Sequence, residues 1–464
     1  MEPILGPVED MTSHNHGQHH GDRHGGHHVP ENPHSHGHGH VDEDMLSVEE
    51  AYQRIMASFR TLEAEEKPLL ECIGQVLAED IHSPLALPPL ANSGMDGYAL
   101  RQADIAGASK ETPSNLAVIG IVAAGQMPDK EVQAGTAIRI MTGAPVPGGA
   151  DTVVPFEETD EVERKRDGKP LDQVAIFADM PLGCNVRPAG EDVSIGTLVL
   201  EKGTVVRAAE VGVLASLGLD KVKVIRRPVV AVLATGDELE NTGTALTGGK
   251  IYDSNSFSVA ASIVASGGVP RLLGIARDNL EDLNGKLEAT AGVDLVVTSA
   301  GVSKGDYDIV KDVLNQRGEM NFWSVRMRPA KPLAFGHLSG GAGKDIPLMG
   351  LPGNPVSAMV AFEMFARPAI RTMLGKTRLP RPLVEGTLTA PIFNEDGRRV
   401  YARVEVEFID GDYRATPTGP QGSNILTSMS RANGLAVCPE DERRKDAGDR
   451  VQIIMLDWNE EVLV

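Results

Sequence analysis

The run Thr298-Ser299-Ala300-Gly301-Val302-Ser303-Lys304-Gly305-Asp306-Tyr307-Asp308 holds residue types suited to gripping an anion. Small residues let backbone N–H groups approach a ligand closely, and turns rich in them form concave anion sites. Ser303 and Gly305 are such positions. Asp306 and Asp308 add hard carboxylate oxygens of the kind that hold Mg²⁺ against phosphate. A loop that attracts phosphate and a divalent cation together points to nucleotide or phosphoryl chemistry. A second turn, Thr235-Gly236-Asp237-Glu238-Leu239, follows another apolar run in the same way. Asp253 stands before a helical pattern, where it either caps the helix or faces the same crevice. Asp237, Glu238, Asp253, Asp306 and Asp308, brought together, would repel one another and a phosphorylated ligand. One or two Mg²⁺ ions would relieve both repulsions. Taken singly, Asp253 and Asp308 read equally well as plain N-caps.

Cations stand at a further point of the chain. Arg326-Met327-Arg328-Pro329-Ala330-Lys331-Pro332 is a basic edge stiffened by two prolines. Arginine grips oxyanions through two N–H groups, and lysine acts as a point charge. The plainer alternative is a solvated basic turn. Gly350-Leu351-Pro352-Gly353-Asn354-Pro355-Val356-Ser357 reads as a strand end, a tight turn and a helix start, with Pro355 early in the helix. A helix start offers unpaired N–H groups and the positive end of the dipole to an anion.

Alternating elements must position these groups. Strands are expected over Val229–Ala234, Leu272–Ala276, Asp294–Thr298, Phe322–Met327 and Pro347–Gly350. Helices are expected over Ser254–Ser266, Leu280–Ala289, Asp306–Arg317 and Asn354–Leu374. That alternation predicts a mostly parallel sheet covered on both faces, with ligands at the carboxyl ends of its strands. Before it, Ser47 and Glu50 have the spacing of a capping box and predict a helix to about Phe59. Residues 115–190 read as short strands, such as Leu116–Val122, Thr136–Met141 and Val174–Phe177, with a charged turn or hairpin tip over Arg164–Lys169. After Gly375 and a two-proline linker, short strands return: Leu383–Leu388, Arg399–Phe408, Ala436–Cys438 and Arg450–Leu456. The fold class is therefore a multidomain α/β plus β chain. It has a central α/β domain, a β-rich insert domain, a discontinuous linking domain and a C-terminal β-barrel-like domain.

Composition removes other classes. A chain of 464 residues exceeds one ordinary core, and its net charge of −21 disfavours nucleic acid as a partner. No apolar run reaches membrane-spanning length. Three widely spaced cysteines, Cys72, Cys184 and Cys438, give no disulfide framework and no CxxC spacing, which predicts a reducing cytoplasm. Eleven of the 13 histidines lie between His14 and His40, among Gly, Asn, Pro and Asp. Residues 1–45 have too few apolar side chains to offset ordering entropy and are expected to be disordered. The tail reads first as a solubilising, weakly metal-binding segment, with a dedicated metal store as the alternative. His82 and His337 read as ordinary structural residues.

The blocks Pro88–Ala99 (PPLANSGMDGYA), Arg139–Ala144 (RIMTGA), Val186–Asp192 (VRPAGED), Thr235–Leu239 (TGDEL) and Tyr252–Asn255 (YDSN) carry a family resemblance. So do Ser299–Asp308 (SAGVSKGDYD), Met327–Leu333 (MRPAKPL), Leu351–Ser357 (LPGNPVS) and Pro420–Ser423 (PQGS). In this order the chain resembles the molybdopterin molybdenumtransferase family, whose animal relative is the E domain of gephyrin. The resemblance implies domains at 46–86 with 190–226 (linking and dimerising), 87–189 (insert), 227–376 (α/β, molybdopterin-binding) and 377–464 (terminal β). It implies a homodimer that inserts molybdate into adenylylated molybdopterin and releases AMP with the help of Mg²⁺. Asp237, Glu238 and Asp306 would hold the metal, with Asp308 at the pyrophosphate-linked ligand and Asp253 in support. Lys331, Ser357, Arg403 and Ser423 would cradle molybdate, and Arg328 would join the basic edge. Asp96 and Thr142 would serve the site from the other subunit, with Arg187 and Asp192 nearby. The upstream molybdopterin adenylyltransferase and apo-molybdoenzymes are the candidate protein partners. This chain departs from the family pattern Lys-Pro-Gly-Lys-Pro, carrying Arg328 and Ala330 where the family has Lys and Gly. The competing readings are the adenylyltransferase itself, which shares only the α/β part, and a non-catalytic metal-handling scaffold dominated by the tail.

Overall fold

The computed structural model describes residues 45–299, 318–339 and 345–459. The helix Val48–Met56 opens as its sequence dictates: Glu50 N–H donates to Ser47 Oγ, and Ser47 N–H donates to the Glu50 carboxylate. Its buried face, Val48, Ala51 and Ile55, joins a core that runs into the α/β sheet.

That sheet has six strands in the spatial order Val269–Ala276, Val229–Thr235, Leu295–Ser299, Ile346–Leu351, Pro332–Leu338, Gly318–Ser324. The first four are parallel and the last two antiparallel. Val230–Thr235 and Leu295–Ser299 are buried throughout, as strands covered on both faces must be. Register sets the site. Thr235 lies opposite Ala276, Ala234 opposite Ser299, and Ser299 opposite Leu351. The turns after Thr235 and Leu351 therefore leave from one edge of the sheet, which is where parallel sheets hold ligands. The helix Asn255–Ala265 covers one face. A helical run from Pro355 to Met373 covers it further, with a π-helical segment at Phe362–Ala366.

Toward the C-terminus, five strands close a ring. Arg399–Ile409 pairs with Asp412–Pro417, then Leu383–Leu388, Arg450–Met455, Gly434–Cys438, and back to Arg399–Ile409. Closure leaves no free edge within the ring and encloses a core of small and branched side chains. Met327–Arg328 adds a short parallel strand against Arg399–Val400. A separate five-stranded sheet runs Thr152–Pro155, Gly97–Leu100, Thr136–Ile140, Ser114–Val122, Gln173–Ile176. Two small antiparallel pairs, Ala64–Pro68 with Lys221–Ile225 and Ile81–His82 with Leu198–Leu200, join segments far apart in sequence.

The fold class expected from sequence is the one observed, with the barrel closed. Two local expectations give way. Glu161–Arg166 is a helix where a charged turn over Arg164–Lys169 is expected. Lys165 reaches back one turn to the buried Glu161 at 2.5 Å, and that pairing favours the helical turn. The single strand expected over Phe322–Met327 is two. Val325 N–H donates to Lys331 O, and the chain then crosses to the barrel. The strand Asp412–Pro417 and the helix Ala208–Ser216 are further elements, beyond those expected from the sequence. The helix expected over Asp306–Arg317 and the tail over residues 1–44 lie outside the described residues.

Candidate functional site

A cleft of about 960 Å³ opens at the carboxyl edge of the α/β sheet and is closed on its far side by the barrel. Its acidic wall carries Glu238 and Asp253. Glu238 is placed by the turn at Gly236, whose φ of +143° suits glycine. A Cβ there would stand 2.4 Å from Glu238 Oε2, so the close approach of the carboxylate also requires its absence. Asp253 is buried and does both things its sequence allows. Its Oδ1 accepts the Ser256 N–H at 3.0 Å, capping the helix, while the residue lines the cleft. Asp237 is not in the lining. It exchanges contacts with Asp278, whose N–H donates to Asp237 Oδ1 at 3.2 Å.

The opposite wall is cationic and polar. Arg328, Lys331 and Arg398 line it, with Ser357, Gln421 and Ser423. Ser423 is tied to the helix start. Asn354 Nδ2 donates to Ser423 Oγ at 3.0 Å, and Val356 N–H donates to Ser423 O at 3.1 Å. Ser357 lies within that same first turn and is buried. The barrel thus supplies Ser423 and the helix supplies Ser357 to one end of the cleft.

Ala330 has φ +77° and is buried, in a conformation that costs an L-residue about 1–2 kcal/mol. Glycine there would relieve the strain. It would also add about 0.4–1 kcal/mol of unfolded-chain freedom and give up roughly 0.8 kcal/mol of buried methyl. These effects nearly cancel, so Ala330→Gly is expected to move unfolding free energy by less than about 1 kcal/mol. Urea denaturation checks this, and a gain above about 2 kcal/mol would mean that the backbone strain at Ala330 is larger than this reckoning allows.

The other expected site residues fall elsewhere. Arg403 is fully buried and does not line the cleft. Its guanidinium donates to the carbonyls of Gln421 at 3.1 Å and Gly422 at 2.9 Å and to Ser428 Oγ at 3.1 Å, so it braces the loop that presents Ser423. Burial among neutral acceptors pulls its pKa down to about 10. Asp96 and Thr142 meet each other in the insert sheet. Thr142 N–H and Oγ1 donate to Asp96 Oδ1 at 2.7 and 2.8 Å, which holds that carboxyl below the ordinary carboxylate range. Gly97 has no room for a side chain, since a Cβ would stand 1.9 Å from Val154 O. Arg187 pairs with Asn92 in a two-residue strand, and Asp192 N–H donates to Leu87 O. None of these four lines the cleft in its own chain. Ser303, Gly305, Asp306 and Asp308 lie outside the described residues. Among the described residues no three His, Cys, Asp or Glu side chains gather as a metal cluster. Sequence reasoning missed Arg398 and Gln421. Gln421 belongs to the quoted PQGS block, while Arg398 stands beside charged neighbours with no distinguishing spacing.

The fold and cleft define a multidomain α/β protein whose cleft lies between a strand-end acidic wall and a basic wall shared with a β-barrel. Comparison with known families agrees in every region. Residues 46–218 match the MoeA N-terminal region (domain I and II), 231–372 a probable molybdopterin binding domain, and 385–456 the MoeA C-terminal region (domain IV). Molybdopterin molybdenumtransferase 2 of Mycobacterium tuberculosis is 38% identical over 417 residues, 88% of this chain and 99% of that protein. The molybdopterin molybdenumtransferase of Bacillus subtilis is 34% identical over 413 residues, 89% of this chain and 94% of that protein. The crystal structure of a molybdopterin biosynthesis MoeA protein from Pyrococcus horikoshii superposes with a TM-score of 0.74 at 31% identity, covering 89% of this chain and all of that one. The chain belongs to the molybdopterin molybdenumtransferase (MoeA) family, and is a transferase as its relatives are named.

Proposed function

We propose that this protein inserts molybdate into adenylylated molybdopterin and releases AMP. The single observation that carries the proposal is the cleft itself. Ser357 and Ser423 meet at a helix start suited to a small dianion, Lys331 lines the same cleft, and Glu238 and Asp253 face the same space. Positioning and electrostatics would supply most of the rate, with no protein nucleophile. Relatives that match nearly end to end favour this reading over an adenylyltransferase, which shares only the α/β part.

Mg²⁺ belongs to the same proposal. Mg²⁺ takes few protein carboxylates and completes its shell with phosphate oxygens and water. Glu238 in the cleft is a donor of that kind, Asp237 stands next to it in sequence but outside the lining, and the ion would neutralise phosphate charge there. Asp306, Asp308, Ser303 and Gly305 are proposed to face the phosphates from the following loop, and Arg403 to hold the loop of the molybdate cradle. Asp96, Thr142, Arg187 and Asp192 are proposed to serve the cleft of a second subunit in a homodimer. Their absence from the cleft lining of their own chain supports that reading. The domain division 46–86 with 190–226, 87–189, 227–376 and 377–464 is supported by the two strand pairs that join the first segment to the second. A cytoplasmic location fits the three free cysteines, and no described helix is long and apolar enough to cross a membrane.

The test uses purified protein with adenylylated molybdopterin. AMP release that requires molybdate is expected. ATP consumption that requires molybdopterin would instead mark an adenylyltransferase.

A further inference from the structure

Arg398 reaches the cleft from the barrel and has no role in the cradle described above. Its side chain is 19% exposed and lines the cleft. Nη1 donates to Met327 O at 3.2 Å, and Nη2 donates to the Asp396 carboxylate. Its remaining guanidinium donors meet no acceptor among the described residues. Arg328, from the facing segment, approaches the same Asp396 at 3.9 Å. One carboxylate therefore stands between two guanidiniums of the cleft wall. Burial would raise the Asp396 pKa, but the hydrogen bonds and charge of Arg398, with a smaller pull from Arg328, hold it below the ordinary range. Asp396 is thus an ionised counter-charge at neutral pH. It keeps the two cations oriented without mutual repulsion while no ligand is bound.

The cleft is also much larger than one tetrahedral oxyanion needs. Its volume is that of a site for a ligand with several recognised groups. The cradle at the helix start accounts for one anion. The arginine pair across Asp396 is a second cationic position in the same space, with the planar forks that phosphate oxygens match.

We infer that Arg398, held by Asp396 beside Arg328, binds the phosphate group of the ligand, separately from the oxyanion cradle at Lys331, Ser357 and Ser423. The inference rests on the proposed function for the identity of the ligand, but the phosphate chemistry it names can be tested alone. Isothermal titration of the whole protein with inorganic pyrophosphate, and separately with molybdate, provides the readout. Arg398→Ala is expected to weaken pyrophosphate binding about tenfold to a hundredfold, since charge-assisted hydrogen bonds are lost. Molybdate binding should stay within a factor of about two, because its cradle is untouched. Arg398→Lys should keep part of the affinity, as charge remains without the fork.

Arg398 also joins the two lobes, so a structural role must be separable. Asp396→Asn removes the same ion pair while keeping the cation. Binding as tight as wild type, or a few-fold tighter with the competing carboxylate neutralised, supports the inference. Three outcomes overturn it: pyrophosphate affinity unchanged in Arg398→Ala, an equal loss in Asp396→Asn and Arg398→Ala, or wild-type protein that binds no pyrophosphate at millimolar concentration. Molybdate-dependent AMP release is measured independently, so failure of the function and failure of this assignment remain distinguishable.

Discussion

Lys331→Ala is expected to lower molybdate-dependent AMP release by roughly 30- to 4000-fold in kcat/KM for molybdate. Removing one charged partner of a desolvated ion contact costs about 2–5 kcal/mol, and about 1.4 kcal/mol is a factor of ten. Lys331 lines the same cleft as Ser357 and Ser423, and in the proposed cradle its charge is the one offered to a bound dianion. The loss should sit in the molybdate KM if the lysine only binds, and in kcat as well if it also orients the oxyanion toward the ligand. Lys331→Arg should recover part of the activity, because the charge stays while the shape changes. The main-chain contact from Val325 N–H to Lys331 O survives either substitution, so the fold should hold. A Lys331→Ala protein within threefold of wild type at low molybdate would remove the lysine from the cradle.

The second large effect is on stability. Glu161→Ala is expected to destabilise the insert sheet by about 3–5 kcal/mol, the usual consequence of breaking a buried ion pair from one side. Glu161 is almost fully buried. Arg139 Nε and Nη2 donate to its two oxygens at 2.7 and 3.2 Å, and Lys165 Nζ donates at 2.5 Å. Without the carboxylate, Arg139 keeps its charge in a site that is 12% exposed. Arg139 also donates to Gly97 O and Ile140 O, on either side of the Asp96–Thr142 contact. The substitution should therefore disturb that contact along with the sheet. The pH dependence follows from the same pair. Burial would raise the Glu161 pKa, but hydrogen bonds from Lys165, Tyr98 and Arg139 and the charge of Arg139 leave it lowered from its ordinary 4.5. A lowered folded-state pKa contributes stability above the unfolded value, and that stability is lost as pH falls through the folded value. Wild type should therefore weaken below about pH 4.5, and Glu161→Ala should lack this component. Urea unfolding at several pH values checks both, and a loss under 1 kcal/mol at pH 7 would contradict the argument.

Much of the fold was legible because its signals are local. Ser47 and Glu50 announce a helix start through spacing alone, and the structure has both reciprocal hydrogen bonds. Val229–Ala234 reads as a doubly covered strand because it is apolar without interruption, and the observed strand runs one residue further, to Thr235. Glu238, Asp253, Lys331 and Ser357 could be named because each follows a strand or opens a helix, where parallel sheets expose their ends. What could not be read depends on contacts between distant segments. Phe322–Met327 has the composition of one strand, but Met327 is claimed by the barrel strand at Arg399. Arg398 reaches the cleft only because the ring of strands closes and turns that residue toward Met327 O. The role expected of Arg403 came from the family resemblance alone. Its burial behind Gln421 and Gly422 depends on how the loop folds over it.

The Met327–Arg328 strand has a mechanical consequence. It leaves the α/β sheet and is hydrogen-bonded into the barrel, with Arg399 N–H donating to Arg326 O at 3.1 Å. Val356 N–H donating to Ser423 O makes a second stitch at the far end of the cleft. Parting the lobes like a hinge would unzip main-chain hydrogen bonds at both ends, each with a desolvation penalty if left unmade. A swing of whole lobes is therefore opposed at both stitches, and the two walls of the cleft are tied together by main chain.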